Sequence, residues 1–332
     1  MRVAVIGLGL IGGSLLRALA GVGIHDIAGY DADPAVRAMA RTAAGQAPPA
    51  HRWRVAASVR DVSDDAELVV VAVPFPAFAS VIDDLANGGY SGLITDVTSV
   101  KGPTREVIAD RWRRSGEAIA GYVGGHPMAG REVGGFANAD PSLFRGCAWA
   151  LAIEPDETPL SDWIEVARLA TSLGARVVPV TADEHDRAVA AVSHVPHLLA
   201  AALIRAVADN PLALSLGAGS FHDGTRVAAA PPLLNAAMCG ANHAAVAKAL
   251  DAVFDQLDIA EAALGKPDPI GALRSWFTPA AATREAWPPS PSASLDLPAH
   301  PAVLLRLGRA GGWVIDIAPD GTTVTGVRPQ EQ

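Results

Sequence analysis

The apolar positions of this 332-residue chain fall into two regimes. Up to about residue 180, short unbroken apolar runs alternate with segments of helical period. Beyond it, long alanine-rich stretches repeat at helical spacing with hardly any strand signal. The short runs predict strands over 3–6, 27–30, 68–73, 93–95, 118–123, 149–153 and 176–180, with helices over 34–43, 75–85, 103–114 and 160–173 between several of them. Apolar strands separated by helices predict an α/β doubly wound, mainly parallel sheet covered on both faces, here over residues 1–180. Residues 182–209 and 232–264 predict an all-helical domain over 181–278. Its surplus of small apolar side chains suits close helix packing and burial between subunits. Residues 279–301, rich in Pro, Ser and Ala, read as a linker. Residues 302–332 read as a short β-hairpin-like tail, with strand-like runs over 303–307 and 312–317 and a turn at Asp320-Gly321; no role is assigned to it. No internal repeat is found.

The first strand ends in Gly7-Leu8-Gly9-Leu10-Ile11-Gly12-Gly13-Ser14, and an apolar helical run follows. Strand, glycine turn and helix in this order make a dinucleotide-binding start of Rossmann type. Gly7 permits the tight turn, Gly9 lets backbone approach a pyrophosphate, and Gly12 lets helix and strand pack closely. The N–H groups around Leu10 and Ile11, at the helix N-terminus, favour the phosphates. The second strand ends in Asp31, about 20 residues beyond the glycines, where an acid can bond a ribose 2′-hydroxyl. That acid would repel a 2′-phosphate, so NAD is expected rather than NADP, and Arg37 is the residue that works against this choice. Asp31 also suits a turn or helix cap in Asp31-Ala32-Asp33-Pro34. The uncharged stretch from Val3 to Leu16 reads as strand, turn and helix rather than a secretory signal.

Composition narrows the classes. A chain this long accommodates two domains with real cores, and half its residues are hydrophobic, which excludes disorder. Net charge is −9 with no basic block, so neither nucleic acid nor an anionic membrane is expected as the main partner. No apolar run is long and uninterrupted enough to span a bilayer. Cys147 and Cys239 lie far apart without metal-ligand spacing, as buried thiols of a reducing cytoplasm would.

Ligands in doubly wound sheets bind beyond the carboxyl ends of the strands. Val73 and Pro74, the segment from Asp96 to Lys101, and His126 all follow strand ends and should meet in one crevice. His126 stands in Gly124-Gly125-His126-Pro127, and a histidine on a rigid turn beside a nicotinamide can take a hydroxyl proton as hydride leaves. By itself the segment better suits an ordinary turn with an exposed histidine, and the rest of the chain reverses that.

Five motifs in order carry a resemblance: the glycine run from Gly7 to Ser14, Asp96-Val97-Thr98-Ser99-Val100-Lys101, Gly125-His126-Pro127-Met128-Ala129-Gly130-Arg131-Glu132, Ser193-His194-Val195-Pro196-His197, and Phe221-His222-Asp223-Gly224-Thr225-Arg226. Over roughly residues 1–275 the chain resembles the prephenate/arogenate dehydrogenase family of tyrosine biosynthesis. The resemblance implies a Rossmann-type domain followed by an all-helical dimerisation domain, and a cytoplasmic homodimer joined through the latter. It implies NAD-dependent oxidative decarboxylation of prephenate to 4-hydroxyphenylpyruvate, with no metal. Aromatisation drives such a reaction, so the protein has mainly to position, polarise and hold anions.

Carried over by motif, His126 would accept the ring hydroxyl proton, and Ser99 would bond the same hydroxyl or orient His126 and the nicotinamide. Arg226 would hold a substrate carboxylate. His197 would contact the pyruvyl side chain, with His194 near the cofactor or supporting the site. The two histidines at i, i+3 could instead ligate a metal with His126 or His185. Lys101 would approach a phosphate or carboxylate, or stay a solvated charge. Three readings compete: a prephenate dehydrogenase, an arogenate or dual-specificity cyclohexadienyl dehydrogenase, and a non-catalytic NAD(H)-binding sensor. His197 favours the first, since a site for an ammonium would more naturally offer a carboxylate. The set Ser99, His126 and Arg226 argues against a sensor.

Overall fold

Strands that are apolar on both faces must be covered on both, and the first half of the chain does this by alternating strands with helices. The computed structural model describes residues 1–23, 26–115, 121–131 and 133–330. In chain order the first layer is built from β1 (Arg2–Ile6), α1 (Leu10–Val22), β2 (Asp26–Tyr30), α2 (Pro34–Gln46), β3 (Arg54–Val55), α3 (Val59–Ser63), β4 (Leu68–Val71), α4 (Phe75–Asn87), β5 (Leu93–Asp96), α5 (Gly102–Ser115) and β6 (Gly121–Val123). The sheet order is β3-β2-β1-β4-β5-β6, every neighbouring pair parallel, which is the Rossmann-type arrangement. β4 is its centre, with all four residues buried. The order reverses between β1 and β4, so the crevice opens beyond their carboxyl ends. Of the strand expected over 118–123, residues 118–120 lie outside the described residues, as does Glu132 of the histidine motif.

The expected single sheet is in fact two. The chain leaves the first sheet at Gly124 and enters a second, where β7 (Gly125–Pro127), β8 (Ala148–Ala152), α6 (Leu160–Ser172) and β9 (Arg176–Val180) follow. β8 and β9 are parallel, as their sequence pattern suggests, but they pair with β7 and with the C-terminus, not with β6. Close approach explains why the transition is made of glycine. A Cβ at Gly125 would lie 2.6 Å from the Asp96 carbonyl oxygen and 3.1 Å from the Trp149 indole nitrogen.

The helical domain follows: α7 (Ala182–Val189), a π-helical turn (Ala190–His194), α8 (Val195–Val207), α9 (Pro211–Ser215), α10 (Gly219–Thr225), a 3₁₀ turn (Arg226–Ala229), α11 (Pro232–Ala241), α12 (His243–Leu264) and α13 (Pro269–Glu285). The continuous helix Ala182–Val207 is long and apolar enough to cross a bilayer by length and composition alone, but Asp183, Glu184, Asp186 and Arg187 interrupt its start, so it is not an uninterrupted apolar run. It carries buried His185, bonded to His126 and Asp186, buried Asp186, bonded to the start of α5, and buried His194, bonded to Asn242. Those polar contacts make it the hub helix of the domain.

The last segment departs most from expectation. α13 continues through Pro279 to Glu285, and β10 (Leu295–Pro298) forms inside the expected linker. Residues 303–307 are not a strand but part of α14 (Pro301–Arg309). A proline at its first position and His300 as its cap start the helix, and Leu304, Leu305 and Leu307 turn inward while Arg306 and Arg309 face out. β11 (Trp313–Ile317) and β12 (Thr323–Val327) pair antiparallel across the Asp320-Gly321 turn. This pair is no free tail: β11 adds to β9 and β10 to β12, completing the order β10-β12-β11-β9-β8-β7. Leu304, Leu307, Val314 and Val324 share one core with Trp149, Trp163 and Val177. Truncating such a side chain costs about 2–5 kcal/mol. Leu304→Ala should therefore lower stability by about 2–5 kcal/mol in chemical denaturation. A loss below about 0.5 kcal/mol, the range of surface substitutions, would show that the segment is an appendage.

Candidate active site

The turn after β1 is closed by sterics. Gly7 has φ +94°, and a Cβ there would strike the Ala72 carbonyl; one at Gly12 would strike the Gly7 carbonyl oxygen. Nothing lies within 4 Å of a Cβ built at Gly9, which stands at the N-cap of α1 with no side-chain cap. Uncapped N–H groups over an open glycine make a cradle for an anion. Asp31 braces this turn: its carboxylate accepts from Leu8 N–H at 2.7 Å and from Asp33 N–H at 2.8 Å. Asp33, not Asp31, caps α2. Arg37 is turned onto the Asp31 and Ala32 carbonyls at 2.7 and 3.0 Å, with its guanidinium over the Tyr30 ring.

A crevice of about 340 Å³ opens beside this turn. It brings together Gly9, Leu10, Ile11, Val73, Pro74, Ser99 and His126, as the strand ends require, and Leu234 and Met238 of α11 close it from the helical domain. His194, His197 and Arg226 are not among its walls. His197 and Arg226 neighbour each other on α8 and the 3₁₀ turn: burial lowers the His197 pKa, a hydrogen bond with the Val227 backbone raises it, and the Arg226 charge lowers it further. His194 lies nearer the crevice, fully buried, with Nδ1 3.2 Å from the Asn242 amide nitrogen. Burial takes its pKa down to about 4. Its Nε2 and the Nδ1 of His197 are both buried without a partner, as groups awaiting a ligand would be.

Behind His126 runs a chain of hydrogen bonds. His126 Nδ1 lies 2.9 Å from His185 Nε2, and His185 Nδ1 lies 2.7 Å from Asp186 Oδ1. Asp186 in turn accepts from the backbone N–H groups of Lys101 and Gly102, both at 2.8 Å, at the start of α5. These donors and the His185 hydrogen bond outweigh burial and keep the Asp186 pKa below its ordinary value. The protons can then be placed. A carboxylate only accepts, so His185 donates from Nδ1, and its Nε2 is an acceptor. His126 must donate to it from Nδ1, which leaves a bare lone pair on His126 Nε2 for the crevice. Burial, then the neighbouring His185, Lys101 and His194, hold the His126 pKa well below 6.5, so the ring is neutral at physiological pH.

Lys101 is not a solvated charge. It is buried, ion-paired with Asp96, and donates from Nζ to the Gly125 carbonyl at 2.6 Å and to Thr98 Oγ1 at 3.2 Å. Tyr122 donates to the other Asp96 oxygen at 2.6 Å. The residue before His126 is thus held from behind by a buried pair.

Sequence reasoning considered His185 only as a metal ligand and passed over Asp186 and Asn242. The visible signal is the capping box of Thr181 and Glu184, which fixes a helix start and so places the next two residues in its first turn.

Comparison with known proteins agrees with this architecture. Residues 17–179 match the nucleotide-binding domain of prephenate dehydrogenase and residues 181–276 its dimerisation domain. The prephenate dehydrogenase of Lactococcus lactis is 32% identical over 178 residues, 52% of this chain and 47% of that protein. The chain thus spans about half the length of that relative. The cyclohexadienyl dehydrogenase of Zymomonas mobilis is 31% identical over 243 residues, 70% of this chain and 78% of that protein. The structure of prephenate dehydrogenase from A. aeolicus, in complex with hydroxyphenyl propionate and NAD+, superposes with a TM-score of 0.74 at 25% identity, covering 86% of this chain and 97% of that one. The chain belongs to the prephenate dehydrogenase family.

Proposed function

We propose that this protein oxidises and decarboxylates prephenate to 4-hydroxyphenylpyruvate with NAD, as a cytoplasmic enzyme of tyrosine biosynthesis. The observation that carries the reading is the bare Nε2 of His126, held neutral in the crevice that also contains Ser99 and the uncapped start of α1. Bound at that cradle, NAD supplies the hydride acceptor. His126 Nε2 takes the ring hydroxyl proton as hydride leaves the same carbon. Ser99, on the same wall, bonds the hydroxyl or orients the imidazole. The bond to the ring carboxylate then breaks, CO₂ departs, its electron pair aromatises the ring, and the phenolate oxygen recovers the proton from His126. Arg226 and His197 hold the substrate carboxylate and the pyruvyl side chain, and His194 supports the site. The name of the Z. mobilis relative keeps a second reading, in which the aminated substrate arogenate is also accepted.

Because the neutral imidazole is the active form, turnover falls as pH drops through the depressed His126 pKa. The acid limb of kcat should therefore lie below the ordinary histidine value near 6.5. His126→Asn should lower kcat by about 10³, and His185→Leu, which removes the acceptor that fixes the tautomer, by about 10². An acid limb near 6.5 or above, or an active His126→Asn, would contradict the assignment.

Asp31 is bonded to the glycine turn through Leu8 N–H, while Arg37 is engaged with backbone carbonyls. We expect kcat/KM for NAD to exceed that for NADP by about 10² or more, a few kcal/mol of like-charge repulsion. Asp31→Asn should narrow the gap, and equal use of both by the unaltered chain would refute the role.

The helical domain leaves Leu212, Leu216, Leu233, Phe254, Ile270 and Phe277 exposed, large apolar side chains of the kind that mark a protein–protein contact. We assign this surface to the homodimer. Sedimentation should show a dimer that Leu216→Glu with Ile270→Glu dissociates; a monomeric unaltered chain would contradict it.

A further inference from the structure

The family match ends at residue 276, yet the segment beyond it reaches back to the hydrogen-bond chain behind His126. β9 runs directly into Thr181, which caps α7, and His185 and Asp186 lie in the next turn. β8 holds one edge of β9, and β11 of the C-terminal segment holds the other. α14 packs on β9 so closely that a Cβ at Gly308 would strike the Pro179 carbonyl oxygen. The next residue, Arg309, donates from Nε to Glu184 Oε1 at 2.6 Å. The other Glu184 oxygen accepts from Thr181 N–H at 3.0 Å and completes the capping box.

We propose that the C-terminal segment is a strut for catalysis, with Gly308 and Arg309 as positioning residues that set α7 and thereby the contact of His185 with His126. The proposal rests on the reading of His126 as the base. An ion pair as exposed as Arg309–Glu184 contributes little to stability, with Arg309 59% and Glu184 25% exposed. Its leverage is geometric. Glu184 and His185 are consecutive, and α7 must meet both His126 and the start of α5 at hydrogen-bond distance. A displacement of about 1 Å at a reacting group costs about 10² in rate. The titratable groups around His126 are His185 from α7, backed by Asp186, His194 from the π-helical turn, and Lys101 from the loop before α5, paired with Asp96 at the end of β5.

The test uses the full chain with Arg309→Ala, Arg309→Lys, Glu184→Gln and Gly308→Ala. Glu184→Gln keeps the capping box, since glutamine serves there as glutamate does, and removes only the charge. Arg309→Ala and Glu184→Gln should lower kcat about threefold to tenfold and Gly308→Ala more, since each loosens one contact of a misplacement worth about 10². KM and NAD affinity should stay put, because Gly308 and Arg309 contact Pro179 and Glu184 and not the glycine turn before α1. The acid limb should move to higher pH as a looser contact lets water reach His126, and Arg309→Lys should restore kcat. The His126 imidazole NMR signals, assigned with His126→Asn, should titrate at higher pH in the same variants without any turnover. That readout survives even where the unaltered chain proves inactive on prephenate, a result that would remove the functional reading alone. Unchanged kcat, acid limb and His126 signals in folded Gly308→Ala and Arg309→Ala would overturn the proposal. So would a kcat loss wholly explained by the unfolded fraction.

Discussion

The carboxylate of Asp186 is the joint on which the site depends. It belongs to the first helix of the helical domain, and its acceptor bonds go to the backbone at the start of α5 and to His185. One buried anion therefore docks two domains and sets the proton arrangement of two histidines. The start of a helix is a favourable place for it, because unpaired N–H groups and the helix dipole stabilise negative charge there. Had it been an exposed acid, His185 would be free to take either tautomer, and His126 with it.

A second buried charge works from the opposite side. Taking Lys101 and Asp96 out of water is costly, and such a pair is weak evidence for stability. Its geometry is what matters here. Lys101 grips the Gly125 carbonyl while Tyr122 and Thr98 satisfy Asp96, so the backbone entering His126 is held by a cation that is itself fixed in place. Between this pair and Asp186, the ring of His126 is held from behind and from the flank with its Nε2 toward the crevice. The buried cation beside it also helps keep the imidazole neutral, which a proton acceptor requires.

Much of this was legible in the sequence, and the limits have physical causes. Gly7 and Gly12 announce their turn because no side chain fits there, and sterics of that kind are local. Ser99 and His126 could be placed in one crevice because strand ends in a doubly wound sheet converge. His185 and Asp186 escaped because a polar helix start looks the same whether it faces water or a partner 59 residues away. The second sheet escaped for a related reason: β8 and β9 read as parallel strands and are parallel, but which sheet they join is decided by packing at Gly124 and Gly125. The run over 303–307 is too short for its period to separate strand from helix, and the inward turn of Leu304 and Leu307 settled it. His194, His197 and Arg226 came from motif alone. The structure puts two of them side by side and leaves a buried, unpartnered nitrogen on each histidine.

The measurement that bears most directly on this account is the nitrogen-15 chemical shift of the His126 and His185 rings at neutral pH. Both rings should be neutral and protonated on Nδ1, with His126 Nε2 showing the shift of an unprotonated, acceptor nitrogen. A His126 ring protonated on Nε2, or carrying both protons at pH 7, would contradict the arrangement from which the chemistry is derived.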